Sequence, residues 1–448
     1  MTSIPLVLQT AYAELLERCA SASFEHAYSE PGSFTSKNIA GRQYWYFQPA
    51  TREGRKQRYV GPETDDLLER IRTHRRWSDD LRERRTLVST LVRSAYLPRL
   101  GEEMGVVLAA LSQSGIFNRG AVLVGTVAYQ AYAAMLAERL PGAAMMTDDI
   151  DIAGDRTVSV TVEEAESLLD ILRSVDRGFQ PVYGVGTERA VSYRTAKLRV
   201  DALVPNAGTE SEKPVFSSVI GSDAAPLRFI DFLIRNPLPA ALLHDGGIYV
   251  SVPAPERYAV HKLIVAQRRS VASAKVDKDL RQAESLLTIL VRKSTTELRD
   301  VWREAWSTGK KWKQLLALGL SKISPNIRDE VLQMVELTRS SLPISPLRFD
   351  DPVPRDVFDR GIVVFEGKSG ETRATCAISR EALEDHFGGD GLDRAGRARL
   401  VRKNQREIEA MAALKYAHWP IEDPRMTLVK TEDVPRLRAQ LRHSKPVG

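Results

Sequence analysis

Asp149 and Asp151 flank a single isoleucine in the stretch Thr147-Asp148-Asp149-Ile150-Asp151-Ile152. In an extended chain, residues two apart share a face, so both carboxylates project to one side while Ile150 and Ile152 point into a core. Two such acids repel unless a cation lies between them. Mg²⁺, a hard ion that takes oxygen ligands and keeps phosphate oxygens in its shell, suits that gap. A third acid follows in Lys197-Leu198-Arg199-Val200-Asp201-Ala202-Leu203-Val204. There the alternation sets Lys197, Arg199 and Asp201 on one face, with Leu198, Val200 and Ala202 on the other. If the two strands are neighbours, three carboxylates converge, about the number that two ions roughly 3.5–4 Å apart require. The bland alternatives stay open: an Asp-x-Asp pair also ends ordinary solvated strands and turns, and Asp201 could simply pair with Arg199 or Lys197.

The elements needed to position these acids are readable upstream. Ala121-Val122-Leu123-Val124 is a short apolar run of the buried-strand kind, and Gly125 permits a tight turn that brings backbone close to a phosphate. From Val127 onward, Ala128, Ala131, Tyr132, Met135 and Leu136 recur at helical spacing until Pro141-Gly142. The start of that helix offers backbone N–H groups and the positive end of its dipole to a triphosphate, with the Thr126 hydroxyl as an added donor. Further on, Ile248 to Pro253 reads as a strand, and Pro255-Glu256-Arg257 opens a helix carrying His261, Lys262, Arg268 and Arg269. Lys262 and Arg269 share a helical face. Lys275, Lys278, Asp279 and Arg281 begin another helical run that reaches Leu286 to Leu290. A basic helix face is also an ordinary solvated surface.

Together these residues resemble the nucleotidyltransferase fold of DNA polymerase beta, marked by a Gly-Gly or Gly-Ser turn, a helix, an Asp-x-Asp strand and a third Asp on a neighbouring strand. More closely, the chain resembles a bacterial family of uncharacterised nucleotidyltransferase-fold proteins, distant relatives of the abortive-infection nucleotidyltransferase toxins. The likeness runs over residues 115 to 290. Thr126 stands where the family usually has Gly or Ser, and the span from turn to acids is longer than in the shortest members. The resemblance implies an α/β (α+β) core with a mixed sheet. It implies an enzyme that moves a nucleoside monophosphate from an NTP such as ATP to an acceptor hydroxyl, releasing pyrophosphate. Asp149, Asp151 and Asp201 would be both the catalytic residues and the ligands of two Mg²⁺ ions. Gly125, Thr126 and Lys262 would contact phosphates, with Arg199 and Lys278 as further nucleotide-binding candidates. The alternative is a non-catalytic module that keeps the fold to bind nucleotide or nucleic acid.

At 448 residues, 43% hydrophobic and 27% charged, the chain can bury an ample core in more than one domain. Its net charge of +6 favours polyanionic partners. RNA, or a tRNA end, is the favoured acceptor, with protein or small-molecule hydroxyls as alternatives. Cys19 and Cys376 lie far apart, which argues against a disulfide framework, and seven scattered histidines argue against zinc. No run reaches the ~18 apolar residues of a membrane span, so the expected location is cytoplasmic.

Residues 1–114 read as an N-terminal helical and aromatic-hairpin module. Its strands are Tyr44 to Phe47 and Gln57 to Val60, joined by a basic tip, Thr51 to Lys56. Aromatics beside Arg and Lys can stack on bases, although such a pattern is also an ordinary packed hairpin. Residues 115–260 form the core and 261–342 a helical domain. Pro343, Pro346, Pro352 and Pro354 mark a linker over 343–356. A small α+β domain covers 357–432, with a hairpin (Ile362 to Phe365, Thr372 to Ile378), a helix capped by Ser379 and stopped by Gly388-Gly389, and a basic helix from Ala395 to Tyr416. This segment resembles a small uncharacterised bacterial domain. His386 reads as structural, and 433–448 as a tail.

Overall fold

The computed structural model describes the whole chain except residues 1, 28–31, 40–41, 50–56, 74–79, 143–146, 156–165, 184–186, 207, 209–210, 270–273, 338–346, 370–371, 419–425 and 444–448. The expected hairpin tip at 51–56, Pro343, Pro346 and the last five residues lie outside the described set. The chain divides into two compact units, Met1–Pro255 and Glu256–Gly448.

The first unit is built on a seven-stranded mixed sheet. Val122–Val124 pairs antiparallel with Asp149–Ala153, which runs parallel to Arg199–Pro205. The far edge of that third strand is divided: residues 199–201 pair with Ala190–Arg194, and residues 203–205 pair with Ser222–Leu227. The centre of the sheet is apolar because alternate residues point inward; Leu123, Ile150, Ile152, Val200, Ala202 and Val204 are fully buried. The N-terminal helix Leu6–Ala27 packs on the hairpin Leu238–Leu242 and Ile248–Val252. Tyr12 and Leu15 are buried there, and the Tyr12 hydroxyl accepts from Ala241 N at 3.1 Å.

The aromatic module is a three-stranded sheet, Gly32–Ile39, Arg42–Pro49 and Arg58–Pro62. The first strand was not anticipated, because Gly-Ser-Phe-Thr-Ser-Lys-Asn-Ile has no apolar alternation and is held by pairing along its whole length. Phe47 is buried with Phe34, Trp45, Leu67 and Ile71 around it, as an ordinary hairpin core would be. Tyr44 and Tyr46 alternate to the other face and stand against Tyr59, at 6.2 and 5.6 Å between ring centroids.

In the second unit, the helices Ala274–Lys293, Thr295–Ser307, Lys310–Ser321 and Pro325–Met334 follow Pro255–Ala266. A five-stranded sheet comes next, with Ile362–Ser369 and Thr372–Ser379 at its centre. Ser379 caps the following helix, accepting from Ala382 N at 3.1 Å, and Gly388 ends it in the left-handed conformation.

Three expectations need correction. The segment expected as linker contributes two strands, Leu347–Arg348 and Arg355–Val357, both paired with Ile362–Ser369; Pro352 and Pro354 fall between them, where no ladder bond is lost. The long basic helix is two helices, Arg394–Lys403 and Gln405–His418, separated at Asn404. The expected tail includes a helix, Asp433–His443, anchored by fully buried Val434 and Leu437 and by an ion pair between Asp433 and Lys415. Among the described residues, no helix is long and apolar enough to cross a membrane. Both cysteines are buried free thiols, and burial pushes Cys19 up to about 11 and Cys376 up to about 12.

Candidate active site

The three acids meet on one face of the first sheet. Asp149 lies opposite Arg199, and Asp151 directly opposite Asp201, in the parallel pairing of their strands. The intervening Ile150 and Val200 are fully buried on the other side, so period-two alternation turns all three carboxylates the same way. Asp149, Asp151 and Asp201 are each half-buried, which leaves them able to meet a ligand.

The glycine turn is tied to the same place. Val124 pairs with Asp151, and Gly125 follows with φ +71° as the first residue of the helix Gly125–Met135. A β-carbon built on Gly125 would overlap Asp151 Oδ2. Backbone conformation and space therefore both demand glycine here. Val124 provides no side-chain cap to this helix, and half-buried Thr126 is its second residue. Gly125→Ala should cost about 1–3 kcal/mol, from a strained backbone conformation plus displacement of the acid. Urea unfolding would show the loss, and a variant as stable as the parent would mean that the turn relaxes freely.

Arg199 stands among the acids. Its Nε donates to Asp201 Oδ1 at 2.8 Å, and its Nη2 donates to Ser192 Oγ at 3.0 Å. The hydrogen bond to Asp201 raises the guanidinium further above its usual range; partial burial opposes this, and the charges of Asp201, Asp149 and Asp151 add to it. Ser192 completes the arrangement by donating its hydroxyl to the same Asp201 Oδ1. Both contacts fall on Oδ1, which leaves Oδ2 as the oxygen to take a cation or a proton. Sequence reasoning missed Ser192. Its only signal was a hydroxyl in the apolar run Ala190 to Arg194, and its importance comes from the register that sets it opposite Asp201.

Lys197, expected on the acid face, precedes the strand and pairs with Glu103 on the surface. Lys262 and Lys278 belong to the second unit. Lys262 is buried and bound to Asp279 at 2.5 Å, and Arg269 meets the other oxygen of the same carboxylate at 2.6 Å. Lys278 is half-buried on the adjoining helix. The acids are thus assembled with Gly125, Thr126 and Arg199, while Lys262 already has a carboxylate partner.

Among the described residues, no group of three His, Cys, Asp or Glu side chains is drawn in tightly enough to hold a metal as placed. The donor chemistry nevertheless fits a hard divalent cation: three carboxylates on adjacent strands, no soft ligand among them, and a guanidinium now supplying positive charge.

Residues 102–307, which contain all of these groups, match the family model described as nucleotidyltransferase. Residues 347–422 match one described as a protein of unknown function, DUF1488. No curated protein and no solved structure matches the chain. The chain thus carries a domain matching the nucleotidyltransferase family model over residues 102–307 and a small C-terminal domain matching the second family over residues 347–422.

Proposed function

We propose that the protein transfers a nucleoside monophosphate from an NTP to the hydroxyl of an acceptor, with RNA as the favoured acceptor class. The observation that carries this reading is the direct pairing of Asp151 with Asp201, beside Asp149 and against the Gly125 turn. In the reaction, the acceptor oxygen bonds to the α-phosphorus, the bond to the β-phosphate oxygen breaks, and pyrophosphate leaves with that electron pair. Asp149 and Asp151 are the residues that would hold the ion accompanying the triphosphate, and Asp201 a second ion. When bound, Mg²⁺ supplies charge neutralisation to the phosphates. With Ser192 and Arg199 on Oδ1, Asp201 Oδ2 would either ligate that second ion or take the hydroxyl proton. The backbone at Gly125 and Thr126 opens a helix whose N-terminus favours phosphate. Arg199 is suited to exchange its carboxylate partner for a phosphate oxygen, since its side chain is half exposed.

The test incubates the protein with Mg²⁺, each α-labelled NTP, and total cellular RNA or protein. Label should pass to the RNA fraction. Transfer to protein alone would overturn the acceptor assignment, and no transfer from any NTP would overturn the reaction. A binding-only module is separated by metal dependence: a catalyst gains thermal protection from NTP only with Mg²⁺ present.

A further inference from the structure

The second unit carries an open groove of about 1300 Å³ that the transfer chemistry does not use. Its floor is the outer face of the C-terminal sheet. Val363 and Phe365 of the central strand turn inward to the helices, so Val364, Glu366 and Lys368 turn outward. Pairing registers place Arg348 and Arg373 on either side of Lys368, and Arg355 beside Val364. Basic residues from four strands thus share one surface. Arg268, Arg269 and Lys311 line the groove from the helical segments.

The charge is lopsided. Eight lysines and arginines line the groove against Asp350 and Glu366, an excess of five once Arg269, already bound to Asp279, is set aside. The two acids offer little competition. Lys368 meets Asp350 at 2.8 Å and Arg373 meets Glu366 at 3.8 Å, and all four side chains are more than half exposed. Exposed pairs of this kind are weak, so either cation can change partner at small cost. Six of the eight are arginines, whose planar fork matches phosphate oxygens. The volume exceeds the ~300–1,000 Å³ of small-ligand sites, which points to an extended polyanion over a single nucleotide. Between the charges the floor is largely aliphatic, with Val357, Ile362 and Val364 beside the hydroxyl-bearing Thr375.

We propose that this groove holds the phosphodiester backbone of a single-stranded RNA, the acceptor of the transfer; only the word acceptor rests on the function proposed above. Recognition is of charge and backbone and is indifferent to sequence. The C-terminal domain is then an RNA-holding module.

Binding of a labelled RNA oligonucleotide to the full chain, followed by fluorescence anisotropy without NTP or divalent ion, tests this separately from transfer. Affinity should fall steeply with salt. The triple substitution Arg348→Glu, Arg355→Glu, Arg373→Glu should weaken binding at least thirtyfold and lower the salt slope by about 2, at ~0.7 per lost phosphate contact. The corresponding triple Gln variant should weaken it less, in the same direction, and guards against misfolding by charge reversal. Equal binding of single-stranded DNA supports a backbone site. Unchanged RNA affinity in both triple variants, or tighter binding of polyglutamate than of RNA, overturns the proposal. If transfer fails while these shifts appear, the groove stands and the reaction falls.

Discussion

Asp151→Asn should lower nucleotidyl transfer at least a thousandfold, about 4 kcal/mol of lost transition-state stabilisation, while leaving the melting temperature unchanged or slightly raised. Asparagine keeps the size of aspartate, so the fit against Gly125 survives. What disappears is one negative charge on a face where Asp149, Asp151 and Asp201 stand together. Removing one of three like charges relieves repulsion, which is why stability should not suffer. The same change takes away the carboxylate that both strand pairings put at the centre of the site, opposite Val124 on one side and Asp201 on the other. Label transfer from NTP to acceptor, read beside a thermal melt, separates the two effects. Parental turnover by the folded variant would remove the carboxylates from the mechanism. Parallel loss of fold and activity would instead make Asp151 a structural residue.

The sequence exposed the acids because their placement depends on a local rule. Alternation along one strand fixes the shared face of Asp149 and Asp151, and fully buried Ile150 and Ile152 show that the rule held. Gly125 was legible for a similar reason, since the end of an apolar strand followed by a helix calls for a special backbone angle. Ser379 and Gly388 were equally local, each acting within its own helix end. Ser192 was hidden because its partner Asp201 is chosen by strand register, a property of two segments. The Gly32–Ile39 strand was hidden because its ladder, and not its own side chains, makes it a strand. Asn404 interrupts a helical pattern whose apolar spacing continues on both sides, so periodicity alone ran straight through the break. The basic groove assembles Arg348, Arg355 and Arg373 from three strands, and no window along the chain contains that surface.

Lys262 shows the same limit, and it yields the second large effect. On the sequence it is one of several cations on a helix; in the fold it is buried, and its partner Asp279, 17 residues later, is 3% exposed. Asp279→Asn should destabilise the protein by about 3–5 kcal/mol, because it leaves the Lys262 charge buried without a counter-ion. Lys262→Met combined with Asp279→Asn should recover most of that loss, since Arg269 is partly exposed and can turn to water. Activity of the recovered double variant then decides the role of Lys262: a raised KM for NTP marks a phosphate contact, and parental kinetics mark a packing ion pair. Acid should act on the same cluster. Burial raises the Asp279 carboxyl, but the charges of Lys262 and Arg269 outweigh it and hold the group below its usual range. Its contribution is therefore complete above the unfolded value near 4 and fades as pH falls through and below it. His261 is pushed down to about 3, first by burial and then by the Lys262 charge. The fold keeps it neutral while the unfolded chain takes up a proton below about 6.5, so stability also drains away from there towards about 3. Within this cluster, the histidine is the group that acts between pH 7 and pH 5. Urea unfolding across that interval should show a loss in the parent and a flatter response in His261→Gln; equal slopes would mean that the imidazole is protonated inside the fold.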